Sequence, residues 1–189
     1  MKKTKLMNRI IVLALFVFYI YALFKVILFK FGSIDIKMLL DLLQRNLSNL
    51  DRILHKLKLS NFIPFKTIFN TIQSPSIHDL INLFGNILIF MPFGVFLLLL
   101  SKNKGISLKD TLVLSLSLSL CLECLQFVLF IGSFDVDDLI LNTSGGLLGY
   151  CAFKLYGKFI VITSSIVQDR DIVENQEFKN IEEGEQYHK

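Results

Sequence analysis

Four long apolar runs constrain this chain more than any other feature of its sequence. A bilayer hydrocarbon core about 30 Å thick is crossed by about 20 apolar residues of helix. Ile10 to Phe29, Leu80 to Leu100, Thr111 to Ile131 and Leu139 to about Tyr156 each come near that length. With 53% hydrophobic and only 19% charged residues in a chain of 189, too little polar surface remains to coat a water-soluble core of this kind. The runs predict an all-α membrane protein with four transmembrane helices and an outer amphipathic segment between the first and second. The Leu-Ser alternation at 114–120 imitates a strand, but one such stretch cannot close a barrel, and an open strand edge is not tolerated in lipid.

Basic residues in short connections set the orientation, because the anionic cytoplasmic leaflet retains them. The leader holds Lys2, Lys3, Lys5 and Arg9; the 101–110 connection holds Lys102, Lys104 and Lys109; Lys154 and Lys158 mark the end of the fourth run. By contrast, the 132–138 connection has no base and three acids, Asp135, Asp137 and Asp138. A multi-pass protein of the cell membrane with both termini in the cytoplasm follows. The leader resembles the start of a signal peptide, but no small-x-small cleavage site follows its apolar run, so it is read as a retained span. The segment from Lys30 to Asp79 carries seven Lys and Arg; long loops translocate largely regardless of charge, and this one is placed outside.

Within that outer segment, leucines recur at helical spacing from Ile36 to Leu59 between charged residues, the pattern of a helix lying on the membrane face. Asn61 to Ile68 is too short for a span and is interrupted by Pro64, so it reads as an interfacial or re-entrant turn. These elements make a membrane domain over 1–167. An acidic cytoplasmic tail, 168–189, has seven acids against three bases and is predicted to be mobile.

The formal net charge of +4 reflects membrane-facing loops rather than nucleic acid, since no Arg cluster interleaved with aromatics is present. Cys121, Cys124 and Cys151 lie in apolar runs, unlike a disulfide framework or a zinc module. No cofactor motif and no metal-ligand spacing occurs, so neither a cofactor nor a metal is expected.

Polar residues inside spans are costly, so their positions carry information. Thr111, Ser115, Ser119, Glu123 and Gln126 share one face of the third run; His78, Asn82 and Asn86 form a ladder in the second; Asp138, Asn142, Gly145 and Gly149 continue an edge of the fourth. With the second and fourth runs directed inward and the third outward, three polar faces meet in the outer leaflet half. Glu123 then lies about 13 Å below the outer boundary, at about 1.5 Å of rise per residue. A carboxylate at that depth has to be protonated, paired or wet.

These residues carry a family resemblance. Asn82-x-x-x-Asn86 followed by Ile89-Phe90-Met91-Pro92-Phe93-Gly94, then Glu123-x-x-Gln126, Phe134-Asp135-Val136-Asp137-Asp138 and Asn142-Thr143-x-Gly145-Gly146-x-x-Gly149-Tyr150, resemble the VanZ-like family in consistent order. Phe62-Ile63-Pro64-Phe65-Lys66-Thr67-Ile68 is similar to its outer-loop motif, and the likeness covers about 60–156. The resemblance implies a small multi-pass bacterial membrane protein associated with resistance to teicoplanin, a lipoglycopeptide acting at the outer membrane face. It transfers Asn82, Asn86, Pro92, Gly94, Glu123, Gln126, Asp135, Asp138, Asn142 and Gly145 as motif positions without assigning a catalytic role. Many relatives carry an Arg before the acidic motif where this chain has Gly132-Ser133-Phe134. Lys66 or Arg52 is therefore the expected counter-charge for Glu123.

Three functions fit this pattern. In a protective binding protein, Asn82, Asn86, Glu123, Gln126, Asp135, Asp138, Asn142 and Lys66 form an outer cleft for a lipid-linked envelope precursor or a lipoglycopeptide. In an enzyme acting on a lipid-linked substrate, Glu123 or Asp138 is the general base; no Ser-His nucleophile pair, zinc-type His cluster or phosphate loop accompanies them. In a proton-coupled transporter or accessory subunit, Glu123 relays protons, and so few spans require a homo-oligomer or a partner.

Overall fold

The computed structural model describes residues 2–29, 36–47, 49–101 and 105–186. The side chains of Lys2, Lys3 and Lys5, residues Lys102 and Lys104, and the acidic side chains from Asp169 to Glu185 fall outside the described set. Among the described residues there are seven helices and no strand: α1 (Lys2–Phe29), α2 (Ile36–Leu47), α3 (Leu50–Leu59), α4 (Lys66–Gln73), α5 (Ile77–Leu100), α6 (Leu108–Val128) and α7 (Val136–Gln186). Three contain segments long and apolar enough to cross a membrane: Met7–Leu28 in α1, and the whole of α5 and α6. The fourth apolar run is the first part of α7, where Asn142, Thr143, Ser144 and Lys154 dilute its hydropathy.

Helix ends follow from local chemistry. Ser107 opens α6 with a capping box: its hydroxyl accepts the Asp110 N–H at 3.1 Å, and the Asp110 carboxylate accepts the Ser107 N–H at 3.2 Å. Ser76 opens α5 with a simple cap, its hydroxyl accepting the Asp79 N–H. At its far end α6 stops at Val128, three residues short of the predicted Ile131, because the chain turns through Phe130 at φ 58°. The amphipathic stretch predicted as one run from Ile36 to Leu59 is two helices. Asn49 interrupts it by accepting the Arg52 N–H on its side chain, which starts α3 afresh.

The chain divides into two compact units, Met1–Tyr150 and Cys151–Lys189. In the second, the backbone is helical through Gln186, including the stretch predicted as a mobile tail. No Gly or Pro occurs between Gly157 and Gly184 to break it.

The first unit is built inside out relative to a water-soluble bundle. Thr111, Ser115, Ser119 and Glu123 of α6 and Asn142 of α7 are buried, whereas Leu112, Val113, Leu116 and Leu120 of the same α6 are exposed, as is Phe18 of α1 at 69%. Apolar side chains outward and polar ones inward suit a hydrocarbon solvent, where helices gain more from small and polar contacts with each other than from burying leucine. A compact apolar core persists where α1, α5 and α6 meet: Leu23, Leu28, Phe90 and Leu122 are buried, flanked by Tyr19, Ile20 and Ile27. Tyr19 donates its hydroxyl to the Ile89 carbonyl at 2.8 Å, and Phe16 packs on Phe93 and Phe96.

Glycines bring α7 against α5 and α6. A Cβ at Gly145 would overlap the Ile87 carbonyl, one at Gly149 the Met91 carbonyl, and one at Gly94 the Gly146 carbonyl. The small-xxx-small spacing read from sequence is thus used for close helix approach. Asn142 Nδ2 donates to Ser119 Oγ at 2.9 Å, and one turn on, Gly146 lies against Ser115.

Candidate functional site

The outer-loop motif and the acidic motif form one structure, although about seventy residues separate them. Asn61 and Asp135 are joined by an isolated parallel β-bridge: the Asn61 N–H donates to the Phe134 carbonyl at 2.8 Å, and the Val136 N–H to the Asn61 carbonyl at 3.0 Å. The Phe62 and Phe134 rings stack beside it, centroids 5.4 Å apart. Side chains reinforce the junction, since Asp135 accepts Asn61 Nδ2 at 2.9 Å and Thr67 Oγ1 at 2.8 Å.

Asp137 does the most here, and the sequence singled it out as a loop acid and a motif member but not as a site residue. It is fully buried. Its carboxylate accepts the backbone N–H groups of Phe65, Thr67 (2.6 Å) and Ile68 (3.1 Å) at the start of α4. Helix α4 has no side-chain cap of its own, and Phe65 precedes it in the left-handed region at φ 66°. An anion supplied from the start of α7 satisfies donors that the local sequence leaves open. A signal was present: Pro64-Phe65 stands where a cap residue belongs.

Directly beneath lies Glu123, 2% exposed. Its Oε2 accepts the Asp135 N–H at 3.1 Å. The charges acting on it are the carboxylates of Asp138 and Asp135, whereas the counter-charge expected from the sequence was Lys66 or Arg52. Lys66 is at the exposed N-terminus of α4, and Arg52 lines a separate groove. Asn86 of α5 completes the group by donating Nδ2 to Asp138 Oδ1 at 2.6 Å. Asn142 follows one turn deeper, its Oδ1 buried and without a hydrogen-bond partner, as are Ser115 Oγ and Thr143 Oγ1.

The expected site residues therefore separate into groups. Asn86, Glu123, Asp135 and Asp138 come together; Asn142 extends them inward. Asn82 is exposed and faces His78 at 3.4 Å. Gln126 turns away, donating Nε2 to the Ile27 carbonyl of α1 at 2.9 Å. Its own carbonyl accepts the Lys56 ammonium at 3.3 Å, and Lys56 Nζ also lies 4.3 Å from the centroid of the Phe130 ring. Lys56, nearly buried, is a second residue that sequence reasoning passed over. It places a cation where the α6 carbonyls end, the favourable end of that helix for positive charge. Among the described residues no cluster of His, Cys, Asp and Glu has the makings of a metal site.

The VanZ/LLP1 family model matches residues 16–157. Protein VanZ of Enterococcus faecium is 43% identical over 76 residues, which are 40% of this chain and 44% of that protein. The match thus spans under half the length of that relative. No solved structure matches the chain. With three helices fit to cross a bilayer and a family match over most of its length, the chain is a membrane protein belonging to the VanZ/LLP1 family.

Proposed function

We propose that this chain is a four-span protein of the cell membrane, with both termini cytoplasmic, that protects against a teicoplanin-type lipoglycopeptide. Its outer polar cluster engages the drug or an envelope lipid. Asn86, Glu123, Asp135 and Asp138 form the floor of the site, Asn142 its inner end, and Asn82 and Lys66 its margin, with Gln126 left outside it because it bonds to α1. The observation that carries this reading is the burial of Glu123 at 2% exposure among other carboxylates and amides. Such an arrangement is costly in a membrane and is kept by default for function.

Two features support the finer parts of the proposal. The Tyr150 hydroxyl donates to the Ile106 carbonyl at 3.0 Å, so α7, which starts beside the outer end of α6, reaches the opposite end within the first unit, as a fourth span does. The match to Protein VanZ supports an antibiotic-protective role.

The test is expression of the wild type, Glu123→Gln and Asn142→Leu at matched membrane levels in a susceptible Gram-positive host, with teicoplanin and vancomycin inhibitory concentrations read side by side. A raised teicoplanin value for the wild type, cancelled by either variant, is the expected result. A wild type without effect on either drug overturns the protective reading. Retention of protection by Glu123→Gln with its loss in Asn142→Leu would separate binding from any proton-handling chemistry at Glu123.

A further inference from the structure

A second site lies at the same end of the first unit, and its lining shares no residue with the Asn86, Glu123, Asp135 and Asp138 cluster. Between α3 and the turn that follows α6 is an open groove of about 690 Å³, within the size range of ligand clefts. One wall presents Arg52, His55 and Lys56, which fall at i, i+3 and i+4 on a single face of α3. Leu59, Phe130 and Ile131 supply apolar surface. Asp51 and Asn49 stand at the start of α3, so the lining counts one acid against Arg52, Lys56 and a histidine.

Lys56 is preorganised. Its Nζ is held by the Gln126 carbonyl at 3.3 Å and lies over Phe130 at 4.3 Å and Phe127 at 5.5 Å. An ammonium has three donors, and the Gln126 carbonyl takes one. The position of the groove narrows the choice of occupant. The apolar length of α6 ends at Val128, and the turn lining the groove, Phe130 to Ser133, begins two residues later. Where a span's apolar length ends, the hydrocarbon gives way to the headgroup layer, which is the level of lipid phosphates.

We infer that the groove between α3 and the 130–133 turn binds the phosphate head of a membrane amphiphile, with Arg52 and Lys56 as its cations, His55 as a further hydrogen-bonding group, and Leu59, Phe130 and Ile131 against the adjoining apolar part. Arg pairs with phosphate through two parallel N–H donors, and Lys acts as a point charge. This assignment does not depend on the antibiotic reading: a chain with no effect on drug susceptibility would still bind the phosphate head.

The test uses the purified full chain in a maltoside detergent, titrated calorimetrically with dioctanoyl phosphatidic acid, dioctanoylglycerol and inorganic phosphate. Arg52→Gln and His55→Gln are compared with Lys58→Gln, a base of the same helix outside the groove. Phosphatidic acid is expected to bind the wild type, with the Arg52→Gln affinity lower by about tenfold, the scale of one charge-assisted hydrogen bond. His55→Gln should fall in the same direction, and Lys58→Gln should stay within about twofold, as for an exposed charge outside the site. Equal weakening by Lys58→Gln would show general attraction to a basic helix and overturn the site. Dioctanoylglycerol binding as well as phosphatidic acid would remove the phosphate from the recognition. Inorganic phosphate binding as tightly would assign the groove to a soluble anion; either result overturns the proposal.

Discussion

Asp137 Oδ2 accepts the backbone N–H of Thr67 at 2.6 Å across seventy residues of chain. Phe65 and Ile68 donate to the same carboxylate, and Asp135 binds Asn61 and Thr67 beside it. The acidic motif between α6 and α7 thus fastens the Asn61–Ile68 loop beside Glu123. Its acids have different tasks: Asp137 caps α4 from a distance, Asp135 bridges the loop and offers its N–H to Glu123, and Asp138 receives Asn86.

Removing the Asp137 carboxylate leaves the backbone donors of Thr67 and Ile68 in α4, and of Phe65 before it, without their acceptor. Hydrogen bonds to a charged group contribute about 1.5–3 kcal/mol each, and water recovers part of that at a helix end near the surface. Asp137→Ala is expected to destabilise the fold by roughly 3 kcal/mol. Asp137→Asn keeps one acceptor oxygen and should cost about half as much, losing mainly the charge at the helix start. Thermal unfolding in detergent, with proteolysis of the 60–66 stretch as a local readout, measures both. Wild-type values for Asp137→Ala would remove its capping role.

The glycines of this unit divide by what surrounds them. At Gly149 an added Cβ meets the Met91 backbone carbonyl, which cannot rotate away, while at Gly85 it meets nothing within 4 Å. Gly149→Ala is expected to force α7 from α5 and cost about 1–3 kcal/mol, the usual range for overpacking. Gly85→Ala, in mid-helix and in open space, should be neutral or stabilising by up to about 1 kcal/mol. Unfolding of the two variants in one detergent makes the comparison. Equal stability of both would mean that α5 and α7 are not packed this closely.

Burial lowers the Lys56 pKa below the ordinary 10.5, because desolvation penalises the ammonium. The folded-state value is the lower one, so between it and 10.5 the unfolded chain binds more protons and stability rises with pH. Relative to Lys56→Met, the wild type should therefore gain stability as pH is raised from neutrality through that window. Melting temperatures of the pair across the range test this. A difference that does not change with pH would show that the ammonium is not desolvated.

What the sequence revealed and what it hid have physical causes. Periodicity located α5 and α6 to within three residues, because a long apolar run has a single solution in lipid. It also grouped Thr111, Ser115, Ser119 and Glu123 on one buried face, since angular position in a helix is fixed by residue number. It could not tell that Gln126, on that same face, reaches sideways to Ile27, nor that Asn82 stays exposed one turn from Asn86. Those outcomes depend on which neighbour stands opposite. The Asp137 cap and the Lys56 contact with Gln126 join residues about seventy positions apart, and no local period records such pairings.

Orientation can be tested by single cysteines in a background from which Cys121, Cys124 and Cys151 have been removed. Ser133 is exposed in the turn between α6 and α7, and Ser101 caps the C-terminus of α5 at the opposite end of α6. The proposed orientation, which rests on the excess of lysines around 101–110 and the acids at 135–138, has the 101–110 connection inside and the 132–138 connection outside by charge retention at the cytoplasmic leaflet. An impermeant maleimide should therefore label Ser133→Cys in intact cells and reach Ser101→Cys only after permeabilisation. The reverse pattern would put the Glu123 cluster and the basic groove at the cytoplasmic face. A drug acting from outside could then meet neither site, and the protective reading would fall with the orientation, while phosphate binding at Arg52 would be referred to inner-leaflet lipid.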